Sequence, residues 1–149
     1  MPVNESFVGR SYPPTPTYRV SREKIHEFAN AINDQNPACH DVEAARALGH
    51  PDVVAPPTFA IVLTLPAGAQ FVADPEAGVD YSRVVHGEQR FVHHRPIVAG
   101  DELQVTLTVE NIRIAAGNEL ITNRSEVKTV DGELVTTAYG VIVVRGSEK

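Results

Sequence analysis

The sequence predicts an α+β domain in which an antiparallel sheet wraps around one buried helix. Three observations lead to this prediction. Apolar residues recur at helical spacing in the first half of the chain, they alternate with polar residues in the second half, and short turn sequences separate the later alternating segments. The length of 149 residues suits one domain with a substantial core, so we expect a single domain over residues 1–149.

The composition limits the partners, the metal sites and the cellular locations that we expect for the protein. Hydrophobic residues make up 42% of the chain, charged residues 21%, and the formal net charge is −6, so nothing favours nucleic acid or an anionic membrane as a partner. The one cysteine, Cys39, excludes an internal disulfide framework and a cysteine-rich zinc site. The N-terminal sequence does not read as a signal peptide, and no apolar run approaches the ~20 residues that span a bilayer. We therefore expect a cytoplasmic protein without a metal or other cofactor.

A proline-rich segment precedes the first helix. Residues 1–17 are expected to lie extended over the surface as an arm, because proline restricts both its own backbone and that of the residue before it. Residues 18–20 follow as a short strand, and Ser21 is a suitable N-cap. The helix then presents one apolar face and ends at Asn33 and Asp34; that face consists of Ile25, Phe28, Ala29 and Ile32.

Two further helices are predicted before the chain changes period. Asp41 is the N-cap candidate of a short second helix, and Gly49 is the expected residue just after its last turn. A third helix begins at Pro57, because proline is favoured in a first helical turn where its missing amide costs nothing. This third helix is apolar on every side, so we expect it to be buried, with Pro66 and Gly68 weakening or kinking it.

The second half of the chain reads as strands. Residues 72–82 are predicted to be a loop, and the sequence 93–96 breaks the first long strand. Turns are expected at residues 116–118 and at Asp131-Gly132, a dipeptide typical of tight hairpins. The predicted strands cover residues 83–92, 103–109, 120–130 and 134–144.

The polar turn between the first two helices is the main candidate site. Asp34, Asn36 and His40 bring a carboxylate, an amide and an imidazole within seven residues, at a place where a rigid scaffold can hold them. On the residues alone, the favoured interpretation is structural: a helix-terminal aspartate and a solvent-exposed histidine in a turn. Cys39 could be a nucleophile with His40 as its base, but we expect a small buried or half-buried thiol.

Two motifs make the chain similar to a known family. Asp34-Gln35-Asn36-Pro37, followed by Asp41, resembles the signature Gly-Asp-x-Asn-Pro-Leu-His-x-Asp of the MaoC-like hot-dog-fold hydratases and dehydratases, which act on acyl thioesters. The segment from His94 to Asp101 resembles the Arg-Pro-(Ile/Val)-x-x-Gly-Asp turn of the same family. The resemblance runs from about Tyr18 to Val144 and implies a single hot-dog fold.

The resemblance also implies a chemistry and its residues. Dehydrating a 3-hydroxyacyl thioester needs a base for the α-proton, an acid for the leaving hydroxyl and a hydrogen-bond donor at the thioester oxygen. By resemblance, Asp34 and His40 are the catalytic candidates. Four cationic side chains are candidates for a basic rim that contacts the phosphates of CoA or an acidic carrier protein: Arg83, Arg90, His94 and Arg95. The substrate-binding candidates are Asn36, Cys39, Pro57, Thr58, Phe59, His86 and Arg95.

The sequence departs from the family pattern at two positions. Cys39 occupies the place of the signature histidine, and His40 follows one residue later. Pro56-Pro57 replaces a His-Gly pair that opens the central helix in the family, and Pro57 has no N–H for the thioester oxygen, so Thr58 is the nearest substitute. These departures resemble the degenerate, HadA-like (FAS1-like dehydratase) branch. That branch includes the non-catalytic N-terminal halves of double hot-dog hydratases and the substrate-binding subunit of heterodimeric (3R)-hydroxyacyl-ACP dehydratases.

The function implied is that of an acyl-thioester hydro-lyase, of the (R)-specific enoyl hydratase or (3R)-hydroxyacyl dehydratase type. The chain would be its substrate-binding subunit, acting on acyl-CoA or acyl-ACP as a homodimer or with a catalytic MaoC-like partner. Two alternatives stay open. One is a non-catalytic acyl-thioester binding or regulatory protein, which Cys39 and Pro57 favour, and the other is a thioesterase, for which Glu88 is the nearby carboxylate.

Overall fold

Five antiparallel strands form one sheet around a central helix, as the sequence predicted. The computed structural model describes residues 2–146, and the strand order across the sheet is β1-β3-β4-β5-β2. The helices are α1 (Arg22–Ala31), α2 (Val42–Ala47) and α3 (Ile61–Val72), and the strands are β1 (Tyr18–Arg19), β2 (Val84–His93), β3 (Glu102–Ala115), β4 (Asn118–Thr129) and β5 (Leu134–Val144). None of the helices between residues 2 and 146 is both long and apolar enough to cross a membrane.

The predicted caps of the first two helices are confirmed. Ser21 Oγ accepts a hydrogen bond from the Lys24 amide at 3.1 Å, and Asp41 Oδ1 accepts one from the Glu43 amide at 2.9 Å. Gly49 adopts a φ of +92° immediately after α2, a left-handed conformation that glycine reaches without steric cost. Of these signals, the Asp41 cap fixes the end of the turn that carries the candidate site.

Strand β3 is longer than the strand predicted at residues 103–109. It continues to Ala115, whereas the alternation of polar and apolar residues ends at Val109. The pairing with β4 shifts register between Val109 and Asn111, so a bulge places one extra residue there. A period of two cannot be followed in sequence across a bulge, which explains the missed segment.

Helix α3 differs from the prediction in its start and in its burial. It begins at Ile61, because the preceding residues form tight turns in which the Phe59 amide donates to Pro56 O at 2.9 Å and the Ile61 amide to Thr58 O at 3.2 Å. The expectation of burial on every side was wrong for this chain, since Leu65 is 56% exposed. The sheet covers only one side of α3, where Leu63, Ala67 and Phe71 pack.

The N-terminal arm contributes to the core, which the prediction of a surface segment missed. Its backbone follows β3: the Gly9 amide donates to Val109 O and the Tyr12 amide to Leu107 O, both at 2.8 Å. A 3₁₀ turn at Glu5–Phe7 inserts Phe7 beside Phe71, with ring centroids 6.3 Å apart. A second apolar cluster at the C-terminal end of α3 therefore depends on the arm.

Replacing Phe7 by Ala should lower the free energy of unfolding by about 3 kcal/mol, because its side chain is 1% exposed and would leave a cavity. Urea denaturation followed by circular dichroism measures this change. The neighbouring Val8 is exposed, so Val8→Ala should change stability by no more than about 0.5 kcal/mol. Equal effects of the two substitutions would contradict the anchoring role of the arm.

Candidate functional site

The turn of residues 33–41, called the signature turn below, is held by its own polar groups. Asn33 has a φ of +57°, which reverses the chain after α1, and the Asp34 amide donates to Ala29 O at 2.8 Å. Asp34 Oδ1 accepts from the Asn36 amide at 3.0 Å, and Asn36 Oδ1 accepts from the Ala38 amide at 3.1 Å. One oxygen of the Asp34 carboxylate is thus used in shaping the turn.

A cleft of about 490 Å³, called the turn cleft, opens beside this turn. It lies between the signature turn, the segment before α3 and the chain that follows β2. Five of the predicted site residues line it together: Asp34, Asn36, Cys39, Pro57 and Arg95.

His40 is placed differently from Asp34. It is not among the residues that line the turn cleft. Its Nε2 lies 2.7 Å from Asp34 O, and its Nδ1 lies 2.6 Å from Nδ1 of His26, whose Nε2 is 3.2 Å from Asn30 Nδ2. These contacts are satisfied with both imidazoles neutral: His40 Nε2–H donates to Asp34 O, His26 Nδ1–H to His40 Nδ1, and Asn30 to His26. Both ring nitrogens of His40 are therefore engaged.

Cys39 faces the turn cleft as a thiol. It is 4% exposed, and burial raises its pKa, with a further increase from the negative charge of Asp34. Both effects disfavour the thiolate, which is the nucleophilic form of cysteine. In this setting Cys39 packs as a small apolar group with a weak S–H donor.

The three candidates near the start of α3 have separate environments. Pro57 lines the turn cleft, whereas Phe59 is fully buried and packs edge-to-face on Phe28 with ring centroids 5.4 Å apart. Thr58 is exposed, and its amide has no backbone acceptor among residues 2–146. Thr58 can therefore offer an N–H at this end of the helix, where Pro57 cannot.

Arg95 forms a network with two carboxylates. Its guanidinium makes a bidentate pair with Asp101 at 2.9 and 3.1 Å and donates to Glu133 at 2.8 Å and to Pro96 O at 2.9 Å. The hydrogen bond to Asp101 is the main cause that raises the pKa of Arg95, so the side chain stays charged. Contact with a substrate phosphate, which stays a prediction, would compete with these carboxylates.

Other cations predicted to form a basic rim also have intramolecular partners. Arg83 lies 3.4 Å from Asp80, and the Arg90 guanidinium stacks 4.1 Å from the ring centroid of Tyr139. Within residues 2–146, no three His, Cys, Asp or Glu side chains are grouped closely enough to hold a metal ion.

A second cleft of about 400 Å³, called the sheet cleft, lies between α3 and the inner face of β2, β4 and β5. His86 lines this cleft and not the turn cleft. Three buried polar residues that line it were not predicted: Thr64, Asn123 and Ser125. A signal was present, because Asn123 and Ser125 occupy the inward positions of β4 between Ile121 and Val127, where alternation requires apolar side chains.

A protein-family model and a similar known protein each match nearly the whole chain. The protein-family model described as "FAS1-like, dehydratase domain region" matches residues 6–138. A UPF0336 protein of Saccharopolyspora erythraea is 56% identical over 147 residues, which cover 99% of this chain and 94% of that protein.

Two solved structures are similar in both fold and sequence. A chain of the C-terminally truncated HadBC (3R-hydroxyacyl-ACP dehydratase) complex from Mycobacterium tuberculosis superposes with a TM-score of 0.83 and 32% identity, covering 92% of this chain and 96% of that one. A MaoC-like dehydratase superposes with a TM-score of 0.84 and 35% identity, covering 96% of this chain. This chain spans only 43% of that dehydratase.

Because its pKa is raised, the Cys39 thiol should react slowly with iodoacetamide at pH 7 and faster as the pH rises above the ordinary thiol range. Asp34→Asn keeps an oxygen for the Asn36 amide but removes the charge, so it should speed alkylation roughly twofold. Mass spectrometry of the native protein over a pH series measures the rate. Glu43→Gln, at an exposed position on α2, is the matched control, and an equal acceleration by both variants would contradict the influence of Asp34.

Proposed function

The chain belongs to the family of the FAS1-like dehydratase domain region, and on this premise we propose that it is the substrate-binding subunit of an acyl-thioester hydro-lyase. The resemblance to MaoC-like hot-dog proteins noted in the sequence is confirmed by the same matches. The reaction proposed is the hydration of a 2-enoyl thioester, or the reverse dehydration of a (3R)-hydroxyacyl thioester. A catalytic MaoC-like hot-dog chain completes the active unit.

The hydrogen bonding of both His40 ring nitrogens is the main observation in favour of assigning binding to this chain and proton transfer to its partner. A general acid or base must reach the proton that it transfers, directly or through one water. His40 uses both ring nitrogens inside the chain and lies outside the lining of the turn cleft. Asp34 lines that cleft without His40, and Cys39 occupies the position of the signature histidine with its thiol protonated. Three other histidines line the cleft together with Asp34: His50, His93 and His94.

The proposed contribution of this chain is to bind and orient the thioester. In dehydration, the α-proton goes to a base, the C2 electrons form the double bond, and the C3 hydroxyl leaves as water after taking a proton from an acid. Negative charge develops at the thioester oxygen in between. The free amide of Thr58 is the donor that this chain can offer to that oxygen, and Asp34 Oδ2 can orient a polar group in the turn cleft.

The partner is proposed to extend the sheet at β2. This strand pairs with β5 on one side only, so its other edge has unpaired backbone groups, which favour strand addition. The HadBC structure, to which this chain is 32% identical, is a dehydratase complex, which supports a heteromeric arrangement. Either acyl-CoA or acyl-ACP would suit the proposed site, and a homodimer is the default arrangement when the chain is alone.

Two other functions are weighed against this proposal. A binding or regulatory protein without any catalytic partner is favoured by the same engagement of His40, and only the assay with a partner separates the two. A thioesterase would need a carboxylate base such as Glu88. That residue is exposed on the edge strand β2 and lines neither cleft, so nothing favours thioester hydrolysis.

The test is hydration of enoyl-CoA, followed by loss of the enoyl absorbance. The purified chain alone should turn over at least about a hundredfold more slowly than the chain co-expressed with a MaoC-like subunit that has the complete Asp-x-Asn-Pro-x-His signature. Binding of acyl-CoA to the chain alone should still be measurable by calorimetry. Full activity of the chain alone, abolished by Asp34→Asn, would instead make it a complete hydratase.

The partner subunit alone is the first control for this assay. In the assembled pair, His40→Gln in this chain should change kcat by less than about threefold, because the proton transfers are assigned to the partner. The same substitution at the signature histidine of the partner should abolish turnover. Binding of acyl-CoA without activity in any pairing would favour the non-catalytic alternative, and release of free CoA would favour the thioesterase.

A further inference from the structure

We infer that the sheet cleft binds an acyl chain that carries a hydroxyl group beyond C3, and that Thr64 and Asn123 recognise this hydroxyl. This inference rests on the proposed function and specifies the substrate class. It begins from two polar atoms that the fold buries without any partner. Among residues 2–146, neither Thr64 Oγ1 nor Asn123 Oδ1 has a hydrogen-bond partner.

Both side chains are more than nine-tenths buried and line the cleft. Thr64 is 6% exposed and Asn123 is 9% exposed, and they approach the cleft from opposite walls, α3 and β4. Buried polar groups in folded proteins are almost always paired, because an unpaired donor or acceptor loses its hydration without compensation. Two unpaired groups in one cleft therefore point to a ligand that supplies the missing hydrogen bonds.

The surrounding residues leave room for such a ligand beside Asn123. In the sheet, Asn123 is paired with Gly140 of β5, which has no side chain, and Ser125 is paired with Ala138. A Cβ at position 140 would lie 3.3 Å from Gln89 Oε1, so glycine keeps this part of the floor open. Apolar side chains form most of the rest of the wall, with Tyr81, His86 and Gln89 as its other polar groups; the apolar ones include Ile61, Leu65, Val72, Leu107 and Ile142.

The sheet cleft lies apart from the turn cleft, so a hydroxyl bound in it is not the one at C3 of the thioester. The turn cleft and the sheet cleft share no lining residue. Pro57 lines the turn cleft, and the sheet cleft begins four residues later at Ile61 and continues along α3 to Val72. We therefore place the thioester group near Asp34 and the distal acyl chain along α3, in the sheet cleft.

A ligand hydroxyl is complementary to both unpaired groups, Thr64 Oγ1 and Asn123 Oδ1. It can donate its proton to Asn123 Oδ1 and accept one from the Thr64 hydroxyl, whereas a plain hydrocarbon leaves both unpaired. Sites that hydrogen-bond a substrate hydroxyl discriminate strongly against analogues that lack it. The apolar wall, in turn, excludes ligands that are polar along their whole length.

The test compares the affinities of acyl-CoAs of equal length, either unsubstituted or hydroxylated at successive carbons beyond C3, by calorimetry on the full chain. The wild type should bind at least one hydroxylated chain about tenfold more tightly than the plain chain. Asn123→Leu and Thr64→Val, which approximately conserve volume, should each abolish this preference and strengthen binding of the plain chain. Thr122→Val, on the opposite face of β4, is the matched control and should leave the preference unchanged.

Free fatty acids with and without the hydroxyl form a second arm of the experiment. A preference for hydroxylated fatty acids without binding of any CoA thioester would refute the proposed function and leave this inference standing. Equal affinities for plain and hydroxylated chains at every position would overturn the inference and assign the two polar groups to water. Loss of self-association in Asn123→Leu without any change in ligand preference, measured by light scattering, would also overturn it, because the groups would then serve a subunit contact.

Discussion

The packing of α3 against one face of the sheet is the constraint on which both clefts depend. Leu63, Ala67 and Phe71 pack against the sheet and are buried, while Leu65 and Ala69 are exposed and line the sheet cleft. At the N-terminal end, Phe59 packs on Phe28 and so ties the helix to α1, next to the signature turn. The helix thus positions the turn cleft at one end and forms a wall of the sheet cleft along its length.

The elements with regular periodicity could be predicted from sequence, and the irregular ones could not. Ser21 and Asp41 mark helix starts through side-chain chemistry that acts over three residues, so local sequence suffices. The bulge after Val109 and the burial of Phe7 depend on contacts with distant residues, which no local pattern encodes. The family signature located Asp34 in the cleft, yet the orientation of His40 depends on His26, a residue that no motif singled out.

The inner face of β4 shows why a site can be invisible to motif analysis and still be readable from physical chemistry. Asn123 and Ser125 have no recognisable spacing to other functional residues, and Thr64 belongs to a helix that otherwise reads as plain core. Their significance appears only when the sheet register places Asn123 opposite Gly140 and the helix brings Thr64 to the same cleft. The rule of alternating polar and apolar residues fails at such positions because a polar side chain is buried there, and such failures are expected at functional sites.

Two independent features near the signature turn bear on the choice between binding and catalysis. In the proposed reaction, Pro57 cannot supply a backbone donor to the thioester oxygen, and the loss of one such donor typically costs about a hundredfold or more in rate. His40 is engaged by Asp34 O and His26, so releasing it for proton transfer requires breaking two hydrogen bonds. Neither feature closes the turn cleft, which Asp34 still lines with a carboxylate oxygen that the turn does not use. These features support the proposal that this chain binds the substrate and that another subunit carries out the proton transfers.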